Sequence, residues 1–203
     1  MFPLFESICV ENYQLKLSEF HQKRMDNSYL KLFNAKNRWS IKKIFKSLKI
    51  ESKHNYKLRI NYSETKYSII LKRYFKKKIG SLQCVELDDY SYDLKYTDRS
   101  IIDKNYKYRY LCDDILIIKN GFVTDTSYCN IVFFDGVRWI TPKYPLLKGV
   151  QRNFLLKNKK IFKKKIKVSD ISNYKSFVLI NSMIEFNTND AVNINKINLP
   201  LRN

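Results

Sequence analysis

Glycine is scarce in this chain. Only four glycines occur among its 203 residues, at Gly80, Gly121, Gly136 and Gly149. Their spacing forms neither the G-x-G-x-x-G fingerprint of dinucleotide-binding sites nor the glycine-rich loop that cradles nucleotide phosphates. The sequence therefore excludes Rossmann-type and P-loop nucleotide sites.

Cysteine and histidine are also few. The chain has four cysteines and two histidines, which lie at Cys9, Cys84, Cys112, Cys129, His21 and His54. These positions have neither zinc-ligand spacing nor the pattern of a disulfide framework. We expect reduced thiols and no bound metal.

Long hydrophobic runs are missing from the sequence. No stretch approaches the roughly 18 apolar residues that a membrane-spanning helix needs. The first six residues, Met-Phe-Pro-Leu-Phe-Glu, lack the basic segment and apolar run of a secretory signal. We expect a cytoplasmic protein.

Acidic residues are outnumbered by basic ones. The 19 Asp and Glu stand against 39 Lys and Arg, which gives a formal net charge of +20. Such a charge is compatible with a nucleic-acid-binding protein. The lysines are spread along the whole chain, however, and 44% hydrophobic with 15% aromatic residues predict a folded core. A solvated basic surface is the simpler interpretation, and nucleic-acid binding is kept as an alternative.

The N-terminal half has the pattern of helices followed by strands. Apolar residues at three- and four-residue spacing predict a helix over Leu17–Phe33 with Ser18 as its N-cap. The same spacing places Arg24 on the inward face of this helix. We also expect a second helix after Ser40 and strands at Tyr56–Tyr62 and Tyr67–Tyr74.

The C-terminal half has the pattern of a β structure. Asn120-Gly121 and Asp135-Gly136 each stand between apolar runs, which is a strong signal of a tight hairpin. Two successive hairpins predict a largely antiparallel half, with a short helix beginning at Gly149 and a buried strand at Phe177–Ile180. An acidic seam near Asp88 predicts an α+β chain with domains at 1–88 and 89–203.

Three polar features could together hold a phosphate. Arg24 offers a guanidinium fork, the segment Gly149–Gln151 offers the N–H groups of a helix start, and Ser182 offers a hydroxyl after a buried strand. Each also has an ordinary structural explanation. The arginine can extend its charged end to solvent, the glycine can turn the chain, and the serine can satisfy a strand end.

The order of several motifs resembles a known family. These motifs are Phe-Glu-Ser-Ile at 5–8, His-Gln-Lys-Arg-Met at 21–25, Gly-Phe-Val-Thr-Asp-Thr-Ser-Tyr-Cys-Asn-Ile at 121–131, Thr-Pro at 141–142 and Leu-Lys-Gly-Val-Gln-Arg at 147–152. They resemble the class IV aminotransferases, the pyridoxal-phosphate family that contains branched-chain and D-amino acid aminotransferases and 4-amino-4-deoxychorismate lyase. The segment Leu94–Arg99 is most similar to the lyase.

The resemblance implies a fold and an assembly. We expect a fold-type IV enzyme, with a small N-terminal α/β domain and a larger, β-rich and barrel-like C-terminal domain. Pyridoxal 5'-phosphate is the implied cofactor. A homodimer with the active site between the two domains, close to the subunit interface, is also implied.

The resemblance also implies roles for individual residues. Lys95 is the expected catalytic lysine, which would hold the cofactor covalently. Asp125 is the expected partner of the pyridine nitrogen, and Arg24 the expected phosphate-binding arginine. Backbone and hydroxyl groups of Val150, Gln151 and Ser182 would complete the phosphate site.

Substrate contacts are less sharply defined by the sequence. The candidates are Phe5, Arg59, Tyr96 and Arg99. Arg59 could bind a substrate carboxylate or be an arginine of a surface strand. Tyr96 and Arg99 could line the pocket or simply begin a helix capped by Thr97.

The chain departs from the family pattern at three places. Aspartate replaces the usual glutamate at Asp125, Gln151 replaces the commoner threonine, and the family's first strand is missing or trimmed before Phe5. The leading interpretation is an enzyme like 4-amino-4-deoxychorismate lyase, which releases pyruvate to give 4-aminobenzoate for folate biosynthesis. The alternatives are a branched-chain or D-amino acid aminotransferase, an inactive family member, and a basic nucleic-acid-binding protein.

Overall fold

The computed structural model describes residues 2–50 and 52–199. The chain divides into two units, one formed by residues up to 76 together with 94–98, and the other by 77–93 and the residues from 99 onward. The prediction from sequence placed a boundary at 88 instead. The difference arises because the strand at 82–86 pairs with a strand of the second unit at 114–118.

The first unit is a four-stranded sheet with two helices. Its strands lie in the order β2-β1-β3-β4, and all their pairings are antiparallel. The elements are β1 (Leu4–Glu11), β2 (Gln14–Leu15), α1 (Ser18–Phe33), α2 (Ile41–Lys46), β3 (Tyr56–Tyr62) and β4 (Tyr67–Arg73).

The core of the first unit lies between this sheet and its helices. Leu4, Ile8, Leu58 and Ile60 of the sheet are fully buried with Met25 of α1. Side chains of a strand alternate between its two faces. The even-numbered residues of β1 therefore face this core, whereas Phe5 and Ser7 lie on the other face of the sheet.

The start of α1 differs from the prediction. Leu17, not Ser18, precedes the first helical residue, and its backbone is left-handed, with a φ of 51° and no side-chain cap. The Ser40 cap of α2 is confirmed, since its side chain accepts a hydrogen bond from the Lys43 N–H. Strands β3 and β4 are confirmed within one residue of their predicted ends.

The second unit is built on a nine-stranded sheet. Its elements are β5 (Leu82–Glu86), α3 (Ser100–Tyr106), β6 (Asp114–Lys119), β7 (Phe122–Thr126), β8 (Asn130–Phe134), β9 (Trp139–Pro142), α4 (Val150–Lys157), β10 (Phe162–Lys164), β11 (Ser176–Ile180), β12 (Val192–Asn193) and β13 (Ile197–Asn198). The main path runs β10-β9-β8-β7-β6-β5-β13, and β11 pairs with both β8 and β12. After β10 the chain returns to β7, where Lys167 forms a bridge with Phe122.

The two predicted hairpins are present in the second unit. Asn120 and Gly121 both have positive φ and join β6 to β7, as a tight turn requires. The second hairpin has a longer turn than the first, since Phe134 pairs with Trp139 and four residues lie between them. In this turn Gly136 has positive φ, and the Asp135 carboxylate accepts hydrogen bonds from the N–H groups of Val137 and Arg138. The sheet is less antiparallel than predicted, since β5 pairs with β6, β13 with β5 and β10 with β9 in parallel.

The core of the second unit is apolar and continuous across the sheet. Leu116, Ile118, Ile131, Phe133 and Phe177 are fully buried at its centre. All four cysteines of the chain are free thiols, and three of them are buried. Within the described residues, no helix is both long enough and apolar enough to cross a membrane.

Candidate active site

Lys95 lies at the centre of a tight turn, in which the Tyr96 N–H donates to the Leu94 carbonyl at 2.9 Å, and backbone hydrogen bonds hold this turn to the first unit. The Phe5 N–H donates to the Lys95 carbonyl at 3.0 Å, and the Thr97 N–H donates to the Pro3 carbonyl at 2.9 Å. Tyr96 forms a bridge with Leu4. These bonds fix the backbone on both sides of Lys95 against the start of β1.

Phe5 brings two cationic side chains together. The Lys95 Nζ lies 4.6 Å from the centroid of the Phe5 ring, and the Arg59 guanidinium carbon lies 3.7 Å from the same centroid. Arg59 also donates from Nε to the Asn61 Oδ1 at 2.7 Å, and Asn61 donates to the Ser68 Oγ. Arg59 is thus oriented by a hydrogen bond and contacts the same aromatic ring as the predicted catalytic lysine.

Arg24 lies on the opposite face of β1 and is paired with an acid. Its Nε and Nη2 donate to the two carboxylate oxygens of Glu6 at 2.8 and 2.5 Å. His21 contacts the same carboxylate through Nδ1 at 2.6 Å. Glu6 and His21 had no role in the sequence analysis, although both lie within the motifs that it used.

Asp125 is buried near the end of β7 in the second unit. Its Oδ1 accepts from the Asn130 Nδ2 at 2.7 Å, and its Oδ2 accepts from the Leu147 N–H at 2.8 Å. Burial raises the pKa of this carboxyl to about 6, and the two hydrogen bonds and nearby Arg152 offset only part of that effect. A cation placed beside Asp125 would therefore be strongly favoured.

Asn130 connects Asp125 to the start of α4. Its Nδ2 also donates to the Leu147 carbonyl at 2.9 Å. Its Oδ1 lies so close to Gly149 that a Cβ on this glycine would be 2.0 Å away. Gly149 has an ordinary extended backbone, so glycine is needed here for close approach and not for an unusual φ.

The N-terminus of α4 has the features of an anion site. Gly149 is its N-cap and no side chain caps it. Val150 and Gln151, the first two residues of α4, are buried, and their N–H groups are among those that a helix leaves without intrahelical partners. Buried Arg152 fastens the helix, because it donates to the Thr141 hydroxyl and the Pro142 carbonyl.

Ser182 and Arg99 complete the predicted residues of the second unit. Ser182 lies in the tight turn that follows β11, where Asn181 and Ile184 form a bridge. The Asn181 Nδ2 donates to the Cys129 Sγ at 3.1 Å and so ties this turn to the end of the Asp125 motif. Arg99 donates from Nη2 to the Ser127 carbonyl at 2.7 Å, which gives this arginine a structural contact.

Two details of the predicted helix at Thr97 are wrong. Helix α3 begins at Ser100, and its N-cap is Arg99. Thr97 instead donates its hydroxyl to the Phe2 carbonyl in the first unit. The segment 94–98 is therefore held against the start of β1 and is not part of helix α3.

The structure gathers the predicted residues into local groups. In the first unit, Phe5, Arg59 and Lys95 form one group. Tyr96 packs against the apolar core, and Arg24 is paired with Glu6 on the other face of β1. In the second unit, Asp125 and the start of α4 are linked through Asn130. The sequence analysis gave no role to Asn130, Arg152, Glu6 or His21, although all four lie within the motifs that carry the family resemblance.

Comparison with known proteins identifies the family. The pattern of the family described as amino-transferase class IV matches residues 93–187. An uncharacterized protein of Haemophilus influenzae is 38% identical over 186 residues, which cover 90% of this chain and 98% of that protein.

Two solved structures are similar to this chain. A Haemophilus somnus protein, provisionally assigned as a 4-amino-4-deoxychorismate lyase, is 34% identical with a TM-score of 0.87, over 92% of this chain and 98% of its own. The pyridoxal-phosphate-bound form of a hypothetical aminotransferase from Mycobacterium tuberculosis is 14% identical with a TM-score of 0.75, over 96% of this chain and 81% of its own. The latter shares the fold. The chain belongs to the class IV aminotransferase family and is a pyridoxal-phosphate-dependent enzyme.

Proposed function

We propose that this enzyme is a lyase that converts 4-amino-4-deoxychorismate to 4-aminobenzoate and pyruvate. The observation that carries the proposal is the 34% identity, over nearly the full length of both chains, to the protein provisionally assigned this activity. The product would serve folate biosynthesis. A homodimer, taken from the family resemblance, and a cytoplasmic location are parts of the same proposal.

The residues present fit the cofactor. Asp125 is a buried acid with a raised pKa, which suits a partner for a protonated ring nitrogen because a nearby cation favours the carboxylate. The uncapped start of α4 suits a phosphate. In this proposal Lys95 holds the cofactor covalently, and Arg24, Val150, Gln151 and Ser182 bind its phosphate.

The chain's own residues would carry the proton transfers. When bound, pyridoxal phosphate supplies an aldehyde that accepts the substrate amine and a ring that withdraws electrons from the adjacent carbon. The Lys95 amine, once released, would be the base that removes the proton from that carbon. As the C–O bond to the pyruvyl group breaks and the ring becomes aromatic, the protonated amine would give this proton to the departing group, which leaves as pyruvate. Asp125 keeps the ring nitrogen protonated, and this protonation is what makes the ring an electron acceptor.

Arg59 is the favoured anchor for a substrate carboxylate. Its guanidinium lies over Phe5, the ring that Lys95 also contacts, and Asn61 fixes its orientation. Planar guanidinium groups bind carboxylates through two parallel hydrogen bonds. Arg99 is a weaker candidate because it already donates to the Ser127 carbonyl, and Tyr96 stays a candidate from its place beside Lys95.

An aminotransferase that acts on branched-chain or D-amino acids is the second candidate. The fold shared with a hypothetical aminotransferase from Mycobacterium tuberculosis is compatible with this reaction. The two reactions differ in their products. A lyase breaks the bond to the pyruvyl group and leaves an aromatic amine, whereas an aminotransferase passes the amino group to a keto acid.

One assay separates these reactions. The purified, cofactor-loaded enzyme is incubated with 4-amino-4-deoxychorismate, or with amino acids and 2-oxoglutarate, and 4-aminobenzoate, pyruvate and glutamate are measured. We expect 4-aminobenzoate and pyruvate in equal amounts. Glutamate formation without 4-aminobenzoate would identify an aminotransferase instead.

The role of Arg59 is tested by an Arg59→Lys variant. Because lysine cannot form the two parallel hydrogen bonds of a guanidinium, we expect this variant to raise KM for the lyase substrate more than it lowers kcat.

A further inference from the structure

Strand β1 carries a buried acid that the proposed chemistry does not use. The Glu6 side chain is 0% exposed, as is that of His21, whereas the side chain of its other partner Arg24 is 12% exposed. Both carboxylate oxygens of Glu6 are engaged by Arg24, and one of them also by His21. A fully buried carboxylate thus supports an arginine that reaches the surface of the first unit.

The charges of this cluster follow from its hydrogen bonds. Burial alone would raise the pKa of Glu6, but Arg24 and His21 lower it to about 2. An ionised carboxylate can only accept hydrogen bonds, so the His21 Nδ1 must carry a proton and donate it. Burial lowers the pKa of His21, which leaves the ring neutral and makes Nε2 an acceptor.

With His21 neutral, Arg24 is the cation that is paired with Glu6. The His21 Nε2 has no hydrogen-bond partner within the described part of the chain, so the ring is held by its bond to Glu6 and by packing. Glu6 in turn engages two of the five N–H groups that a guanidinium offers. The others are directed away from Glu6, as a bidentate pair requires.

We propose that Glu6 and His21 are positioning residues that hold the Arg24 guanidinium in the orientation in which it binds the cofactor phosphate. This inference rests on the proposed function, in which Arg24 is a phosphate ligand. Arginine side chains lose much rotamer freedom when they bind an anion. A guanidinium that is already fixed by a buried carboxylate has lost that freedom before the phosphate arrives.

The test compares two forms of the vitamin. Pyridoxal phosphate and pyridoxal share the ring and the aldehyde, but only the first has the phosphate. Their dissociation constants are measured from the absorbance of the lysine-bound form for the wild-type protein, Glu6→Gln and Glu11→Gln. Glu11 is the matched control, since it lies on the same strand and its side chain, which is 39% exposed, pairs with Lys16.

We expect Glu6→Gln to weaken pyridoxal phosphate binding by about tenfold or more, while pyridoxal binding changes by less than about threefold. Glu11→Gln should leave both constants unchanged. Equal weakening of the two ligands would overturn the inference, because it would indicate a general packing role. An unchanged preference for the phosphate would overturn it as well.

A second pair of variants covers the case in which Glu6→Gln does not fold. His21→Asn keeps an N–H donor near the position of Nδ1, whereas His21→Leu removes it. The inference predicts that the asparagine variant retains the preference for the phosphate form and the leucine variant loses much of it. Equal preferences in the two variants would contradict it. A wild-type protein that forms no cofactor absorbance at all would instead contradict the proposed function.

Discussion

At Asp125, burial and hydrogen bonding act in opposite directions. Burial raises the pKa of the carboxyl, and bonds from the Leu147 N–H and the Asn130 amide lower it, with a result of about 6. An ordinary aspartate titrates near 3.8. The folded protein without cofactor therefore binds this proton more tightly than the unfolded chain does.

The sign of the pH dependence follows from this shift. The stabilising contribution of protonated Asp125 is complete below the unfolded pKa of 3.8 and is lost as pH rises through the folded pKa of about 6. Its size is on the order of 2–3 kcal/mol. We predict that Asp125→Asn, which cannot ionise, gains this much stability relative to the wild-type protein between pH 4 and pH 7.5.

Urea unfolding of the cofactor-free proteins at several pH values measures this difference. Replacement of the exposed Asp89 by asparagine serves as the control. A stability difference between Asp125→Asn and the wild type that does not change with pH would show that the carboxyl is not perturbed. In the loaded enzyme the dependence is expected to shrink, because a cation beside Asp125 favours its ionised form.

Single residues were predictable from the sequence only through motifs. Lys95 is one of many basic residues in a chain with 39 Lys and Arg, and no compositional feature distinguishes it. Its position in the segment Leu94–Arg99 selects it. Glu6 and His21 could not be assigned, because their roles depend on contacts across 15 and 18 residues that only the folded sheet and helix create.

The start of α4 depends on the absence of a side chain at Gly149. A Cβ at position 149 would lie 2.0 Å from the Asn130 Oδ1 and 3.2 Å from its Cγ. Asn130 cannot easily move, since its amide donates to both Asp125 and Leu147. The glycine therefore allows the helix to begin beside the Asp125 motif.

We predict that Gly149→Ala destabilises the protein by about 1–3 kcal/mol and weakens cofactor binding. Gly80→Ala is the matched control, because its nearest atom, the Asp113 Oδ2, would lie at an ordinary contact distance of 3.7 Å. Thermal unfolding and cofactor titration of both variants provide the comparison. Similar effects at the two positions would contradict the steric account of Gly149.

Elements were predictable where their signals are local. The Asn120-Gly121 turn and the Ser40 cap depend on a few neighbouring residues, and both are confirmed. Strand β1 was missed because both of its faces are buried from Leu4 to Ser7, so it has no alternation of polar and apolar residues. The Ser18 cap was wrong because the left-handed Leu17 leaves that serine inside the helix.

At the scale of the whole chain, the fold class was predictable and the division into units was only approximate. The second unit includes residues 77–93 because β5 pairs in parallel with β6 across 32 positions. The first unit regains 94–98 through the hydrogen bonds of Lys95 and Thr97 to the start of β1. Such long-range pairings are not visible in local composition. The acidic residues near position 88 therefore did not indicate where the two units divide.

The central claim is that this enzyme holds its cofactor on the amine of Lys95. The most direct test is reduction of the yellow, cofactor-loaded protein with sodium borohydride, followed by proteolysis and mass spectrometry of the peptides. We predict one modified residue, Lys95, and no modification in a folded Lys95→Ala variant. Cofactor attached to a different lysine, or equal labelling of the Lys95→Ala variant, would contradict the account.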